Sequence, residues 1–246
     1  MAVIVMCFML TDSCSCKKLP TNGMIFMQCN YTIGGKPIVA GSYLPDTLGR
    51  YIRIDTLDFY VSNNAAFSER GNIYKTENIL SFADANMPMN LPFSTPPYDI
   101  YDSFTFNIGV YANMNSLTES PDSLVNGPLK DPYMWRQGFG YYFMKIQGRD
   151  SLPGMTSQRF SYIVGSNTNY ALVTLPARGK GNYTALAPII VKMDSFSVMY
   201  VNMDVGKLLA VIPDLQTSDS TDNYTFRPGL GDTLASQIPK CFSYEQ

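Results

Sequence analysis

The sequence contains no histidine. Without imidazole there is no Ser-His-Asp or Cys-His nucleophile pair, no HExxH zinc site and no imidazole base. Charge is scarce too, with 15% of residues charged where about a quarter is usual. The net charge is −2, and Lys17 with Lys18 is the only adjacent basic pair. Phosphate binding needs a basic face, so this balance argues against nucleic acid as a partner. Apolar runs stay well short of the roughly 20 residues that a membrane-spanning helix needs. There is a single tryptophan, Trp135.

What is present suits a packed β-protein. Apolar residues make up 46% of the chain and aromatics 13%, enough for a sizeable core. The opening MAVIVMCFMLTDSCSCKK joins an apolar run over 2–10 to Ser-Cys-Ser-Cys and two lysines. This pattern suits a secretion signal, and a cysteine after a small residue resembles a bacterial lipobox. Cys16 is the lipidation candidate, with Cys14 as the alternative. The division expected is a lipoprotein signal segment over 1–16 and a β-sandwich over 17–246. A buried first strand is the competing reading of the apolar run. After cleavage Cys29 and Cys241 remain, and they could pair in an oxidising compartment or stand as separate buried thiols.

Strand signals recur along the chain. Met24 to Ile33 is apolar and aromatic and closes on Gly34-Gly35. In YIRIDTLDFYV (51–61), Ile52 and Ile54 share one phase, while Leu57, Phe59 and Val61 share the other. One extra residue near Asp55–Thr56, a β-bulge, keeps both sets on the core side. FTFNIGV (104–110) alternates without a break, and further strands are expected at 141–147, 159–165, 170–175, 187–193 and 196–203. Helical period is confined to VGKLLAVI (205–212), with TLASQIP (233–239) as one closing turn. The fold class expected is all-β, a single antiparallel β-sandwich with long loops and at most short helical turns.

Few residues offer catalytic chemistry. Without imidazole a soft metal site must use thiolate or thioether, which selects Cu(I). Met87 with Met89, and Met199 with Met203, have usable spacing, although methionine commonly fills core gaps. The acidic loop DSTDN (219–223) lacks calcium-loop spacing. Asp99, Asp102, Asp122 and Asp131 lie in loops and are the candidates for a carboxylate-based hydrolase, although loop aspartates are usually turn formers.

The stretch DPYMWRQGFGYYFMKIQG (131–148) belongs to a longer ordered pattern. GGKPI (34–38) is followed by LGRYIRIDTLDFYVSN (48–63), SFTFNIGVYANMN (103–115), GPLKDPYMWRQGFGYYFMKIQG (127–148) and LASQIPKCFSY (234–244). In this order the blocks resemble the MbnP-like family, secreted copper-binding proteins named for a methanobactin-operon member, with lipoprotein examples abundant in Bacteroidetes. The resemblance implies a β-sandwich, a non-enzymatic role in copper binding or handling, and a periplasmic or outer-membrane lipoprotein exported across the inner membrane. It also implies a copper site of histidines and an oxidised tryptophan, with a di-haem enzyme as partner. Trp135 is then the candidate modified position. Anchored on Gly138, Tyr133 stands for the family's other tryptophan; anchored on Met134, Gln137 does. Ile163 in RFSYIVG (159–165) occupies the place where the family has histidine. A thioether from Met134 or Met144 is the remaining soft donor. A binding or structural module on the same sandwich, without metal, is the alternative function.

Overall fold

A computed structural model describes residues 22–245 apart from 77–78, 86–89, 116–117, 119–128, 130, 152–155, 166–169, 176–187, 213–214 and 216–229. The expectations for Cys14, Cys16, Met87, Met89, Asp122 and the loop 219–223 fall outside the described residues. The strands in chain order are β1 (Met24–Ile33), β2 (Lys36–Pro37), β3 (Leu44–Pro45), β4 (Tyr51–Ser68), β5 (Ile73–Thr76), β6 (Ser81–Asp84), β7 (Asn90–Ser94) and β8 (Asp99–Ile108). They continue as β9 (Trp135–Arg136), β10 (Gly140–Ser151), β11 (Gln158–Gly165), β12 (Ala171–Leu175), β13 (Ile189–Val191), β14 (Phe196–Asp204) and β15 (Phe242–Glu245). Helices α1 (Val205–Leu209) and α2 (Leu230–Cys241) stand between β14 and β15.

The strands form two layers, as expected for a sandwich. A smaller sheet runs β15-β14-β1-β2, with β7 also on β1. A larger one runs β11-β10-β4-β8-β12, carrying β13 on β8, β9 on β10, and β3, β5 and β6 on β4. Pairing is antiparallel except between β1 and β14, which run parallel. Ile25, Met27, Cys29, Met199, Val201 and Met203 from the smaller sheet meet Leu57, Phe59, Val61, Phe106, Met144 and Ile146 from the larger one in a main core. Each such side chain, fully buried, contributes about 1.5–3 kcal/mol.

The bulge in β4 falls where the alternation requires it. Gln147 pairs with Thr56 while Gly148 pairs with Ile54, so Asp55 is the extra residue. That keeps Ile52, Ile54, Leu57, Phe59 and Val61 all buried. Helix α2 exceeds the single turn expected over 233–239, running for 12 residues with Pro239 inside it. Its buried face of Leu234, Ala235, Ile238 and Cys241 closes the core, and tertiary burial outweighs the cost of the internal proline. Cys29 and Cys241 are free thiols, both buried in the main core, so the pairing alternative is not realised. No helix among the described residues is long and apolar enough to cross a membrane.

Arg50 locks α1 onto the larger sheet. It is buried with Asp46, pairs with that carboxylate at 2.6 Å, and donates to the carbonyls of Leu209 and Ile212 at 3.0 and 2.5 Å. The Leu209 carbonyl also accepts from Ile212 N at 3.1 Å, so Arg50 adds a second bond at the helix end, where carbonyls lack helical partners, and supplies a donor to Ile212 just beyond it.

Candidate functional site

Alternation along β4 and β10 sends Phe59 and Met144 into the main core and turns Asp58, Tyr60, Phe143 and Lys145 to the opposite side of the larger sheet. That outer side is also covered. Asp131 starts a short turn over Pro132–Met134 by accepting from Tyr133 N at 2.8 Å, with Pro132 preset in the first position. The chain then enters β9, where Trp135 pairs with Tyr141. Gly138, at φ 76°, makes the reversal back into β10, with Phe139 N bonded to Arg136 O at 3.0 Å.

This hairpin caps a second apolar cluster. Tyr60, Val110, Leu129, Met134, Tyr141, Tyr142, Phe143 and Ile163 are buried in it, and half-buried Trp135, Phe139 and Tyr170 pack against it. Tyr60 meets Tyr141 edge-on at 6.0 Å, and the Phe143 and Tyr170 rings lie 4.7 Å apart. Tyr141 is held by Asn115 Oδ1, which accepts from its N–H at 2.8 Å. Gly109 bends β8 away at φ 143°, and a Cβ there would lie 2.9 Å from the Phe143 and Tyr170 rings.

A row of polar side chains runs beneath the cluster. In cross-strand register, Asp84 stands opposite Asp58, Asp58 opposite Lys145, and Lys145 opposite Ile163. Asp58 and Lys145 are both buried. The Lys145 ammonium lies 5.7 Å from the centre of the Tyr133 ring, within cation–π range. Burial pushes the Asp58 carboxyl up to about 7; neighbouring Asp84 adds to this, Lys145 opposes it and Asp131 adds further. The Tyr60 hydroxyl is buried with no hydrogen-bond partner among the described residues. Burial, then Asp131, holds it above the ordinary phenol range.

The structure thus gathers several of the residues singled out in the sequence. Trp135, Met134 and Ile163 belong to one cluster, while Tyr133 and Gln137 lie exposed around it. Met144 does not join them, because the pleat turns it into the main core with Met199 and Met203. Nor do the aspartates expected in loops converge, and Asp99 and Asp102 lie in β8, not in a loop. Asp99 accepts from Ile100 N and pairs with Arg70 at 3.6 Å, whereas Asp131 caps the turn before Trp135. The carboxylates that do adjoin are Asp58 and Asp84, which sequence reasoning passed over. Their phase opposes the core phase, so they read as solvated, and no local signal marks that side of the sheet as covered.

The donor set does not fit copper. The chain has no imidazole, and no group of three or more His, Cys, Asp or Glu occurs among the described residues. Met134 offers one thioether, and the remaining groups around it are hard oxygens and an ammonium, unsuited to Cu(I). Both core thiols, Cys29 and Cys241, are pushed by burial up to about 12 and stay protonated. What the arrangement offers instead is an aromatic platform above a buried carboxyl, a lysine opposite it in register and a buried phenol without a hydrogen-bond partner among the described residues.

A family model described as MbnP matches residues 22–226. Among solved structures, MbnP from Methylosinus trichosporium is similar with a TM-score of 0.50 at 12% identity, covering 85% of this chain and 82% of that one. At that identity the likeness is one of fold. No curated protein matches the chain. The terminal block LASQIPKCFSY lies beyond the matched span, and the other quoted blocks lie within it.

Proposed function

This chain belongs to the MbnP family, and from that membership we propose that it is a cell-envelope binding protein, not an enzyme, working through the aromatic site at Trp135 without copper. Membership suggests a copper-associated lineage. The observation that carries the departure is Ile163, which stands where the family resemblance expects a histidine, buried in one cluster with Met134 and half-buried Trp135. An apolar side chain there removes a donor and adds packing surface. A partner at this site meets the open part of Trp135, the exposed Tyr133 ring and, beneath them, the buried polar row. By family analogy that partner is a di-haem enzyme.

The leader supports export across the inner membrane and a lipid anchor on Cys16, with Cys14 as the alternative, in the periplasm or on the outer membrane. Anaerobic Cu(I) loading followed by dialysis, with intact mass of the native protein, tests the reading. The expected result is no retained copper and an indole of unchanged mass at Trp135. Stoichiometric copper, or the gain of one oxygen and loss of one carbon that marks kynurenine, would overturn it. A second reading keeps copper because Met134 brings a buried thioether to the Trp135 cluster. Copper retained by the parent and lost in Met134→Leu would establish that one.

A further inference from the structure

The smaller sheet turns one side to the core, and its other side carries apolar groups at one end. On that outer side Met24 and Phe26 of β1 stand in register with Phe196 and Val198 of β14. Phe196 is 72% exposed and meets Phe26 edge-on at 6.3 Å. Met24, Phe26 and Phe196 line an open groove of about 400 Å³, whose rim is completed by Gly23, Ser195 and the polar Asn22, Thr95 and Asp194. Tyr98, Ile190 and Met193 are also exposed. They lie at the same end, because Pro97 bridges Asn22, Asp194 N donates to Asn22 O, and Ser197 Oγ donates to Ile190 O at 3.0 Å.

Farther along the same strands the outward residues turn polar. Gln28 stands beside the exposed Tyr200, whose ring carries a hydroxyl, and Asn30 beside Asn202, and Asn30 Nδ2 donates to Glu245 at 2.5 Å. The face is therefore amphipathic along its length, and exposed aromatic patches of this kind mark interaction surfaces.

We propose that the apolar end of this face, centred on Phe26 and Phe196, docks into the headgroup–acyl boundary of a lipid bilayer. The argument for that occupant is the tether, and it rests on the lipid-anchor reading given above. The described chain enters at Asn22, at the apolar end itself. Six positions separate Cys16 from Asn22, at most about 20 Å of extended chain. A lipid on Cys16 holds this end at the membrane surface, where aromatic and methionine side chains gain by partial insertion. The polar end then projects into water. The Trp135 cluster, on the outer side of the other sheet, is turned away from the bilayer and left open to a soluble partner.

The test uses natively processed protein in phosphatidylethanolamine–phosphatidylglycerol vesicles carrying brominated acyl chains. Phe196→Trp adds a second indole to a chain whose own Trp135 serves as the control. The expected result is a blue-shifted, bromine-quenched emission from position 196, with Trp135 little quenched. An unquenched, water-exposed indole at 196 would overturn the proposal. So would a dimer in sedimentation that Phe196→Ser dissociates, since a second copy would then be the occupant. If the native mass carries no lipid, the tether reading falls separately, and flotation of that unlipidated protein decides the face. Phe26→Ser with Phe196→Ser must then lower vesicle partition by about tenfold or more at an unchanged melting temperature, and equal partition of parent and variant overturns the docking surface.

Discussion

Replacing Asp58 by asparagine makes the stability of the protein less sensitive to pH. Folding carries this carboxyl from the ordinary carboxylate range up to about 7, chiefly by burial and with Asp84 opposite it. Between about pH 4 and about pH 7 the folded chain therefore holds a proton that the unfolded chain has released. The stability that Asp58 contributes is complete below the ordinary carboxylate pKa and is lost as pH rises through about 7. A shift of this size corresponds to about 4 kcal/mol as an upper bound, and solvent at the edge of the site reduces it to about 2 kcal/mol. Asp58→Asn removes the titration while keeping the side-chain shape. The attraction of Lys145 acts on the ionised form alone and is already contained in the raised pKa, so the pH-dependent difference between the two proteins reports the titration of Asp58. Urea unfolding at about pH 5 and about pH 8 should show the parent losing about 1 kcal/mol more than the variant, since part of the contribution is already lost by pH 5. Parallel pH–stability curves for the two proteins would refute the reasoning, and with it the picture of a carboxyl kept protonated by its burial.

Other expectations follow from the same packing. Arg50→Met leaves buried Asp46 without its ion-pair partner and the Ile212 carbonyl without the guanidinium donor, costing about 3–5 kcal/mol in urea unfolding; a loss under about 1 kcal/mol would show the clamp to be dispensable. Gly109→Ala forces a Cβ to within 2.9 Å of the Phe143 and Tyr170 rings at φ 143°, and a loss of about 1–3 kcal/mol is expected, together with altered near-ultraviolet circular dichroism. Cys29 and Cys241, buried and held protonated, should resist iodoacetamide at neutral pH until the chain unfolds; rapid alkylation of the native protein would contradict their burial.

The site divides into parts that were legible and parts that were not. Local alternation carries the bulge at Asp55, because only one extra residue keeps Ile54 and Leu57 on one side. The same alternation puts Asp58 and Lys145 out of the core phase, and period alone cannot say whether a hairpin from residues 131–140 lies over that side. Helix α2 shows the opposite failure. Its buried Leu234, Ile238 and Cys241 keep a helical spacing, but Pro239 is a local stop signal that packing against the core overrides.

By itself the sequence determined the chemistry available to this protein and the strands that carry it. A chain without histidine cannot build an imidazole site in any fold, and the period of two in its apolar residues commits it to sheets. The tertiary structure alone decided which residues meet. Cross-strand register brings Asp84, Asp58, Lys145 and Ile163 into one row from segments far apart in the chain. The parallel pairing of β1 with β14 sets Phe26 beside Phe196 in the same way. Such neighbours are fixed by hydrogen-bond register between distant segments and by burial of a shared core, neither of which leaves a trace in local sequence.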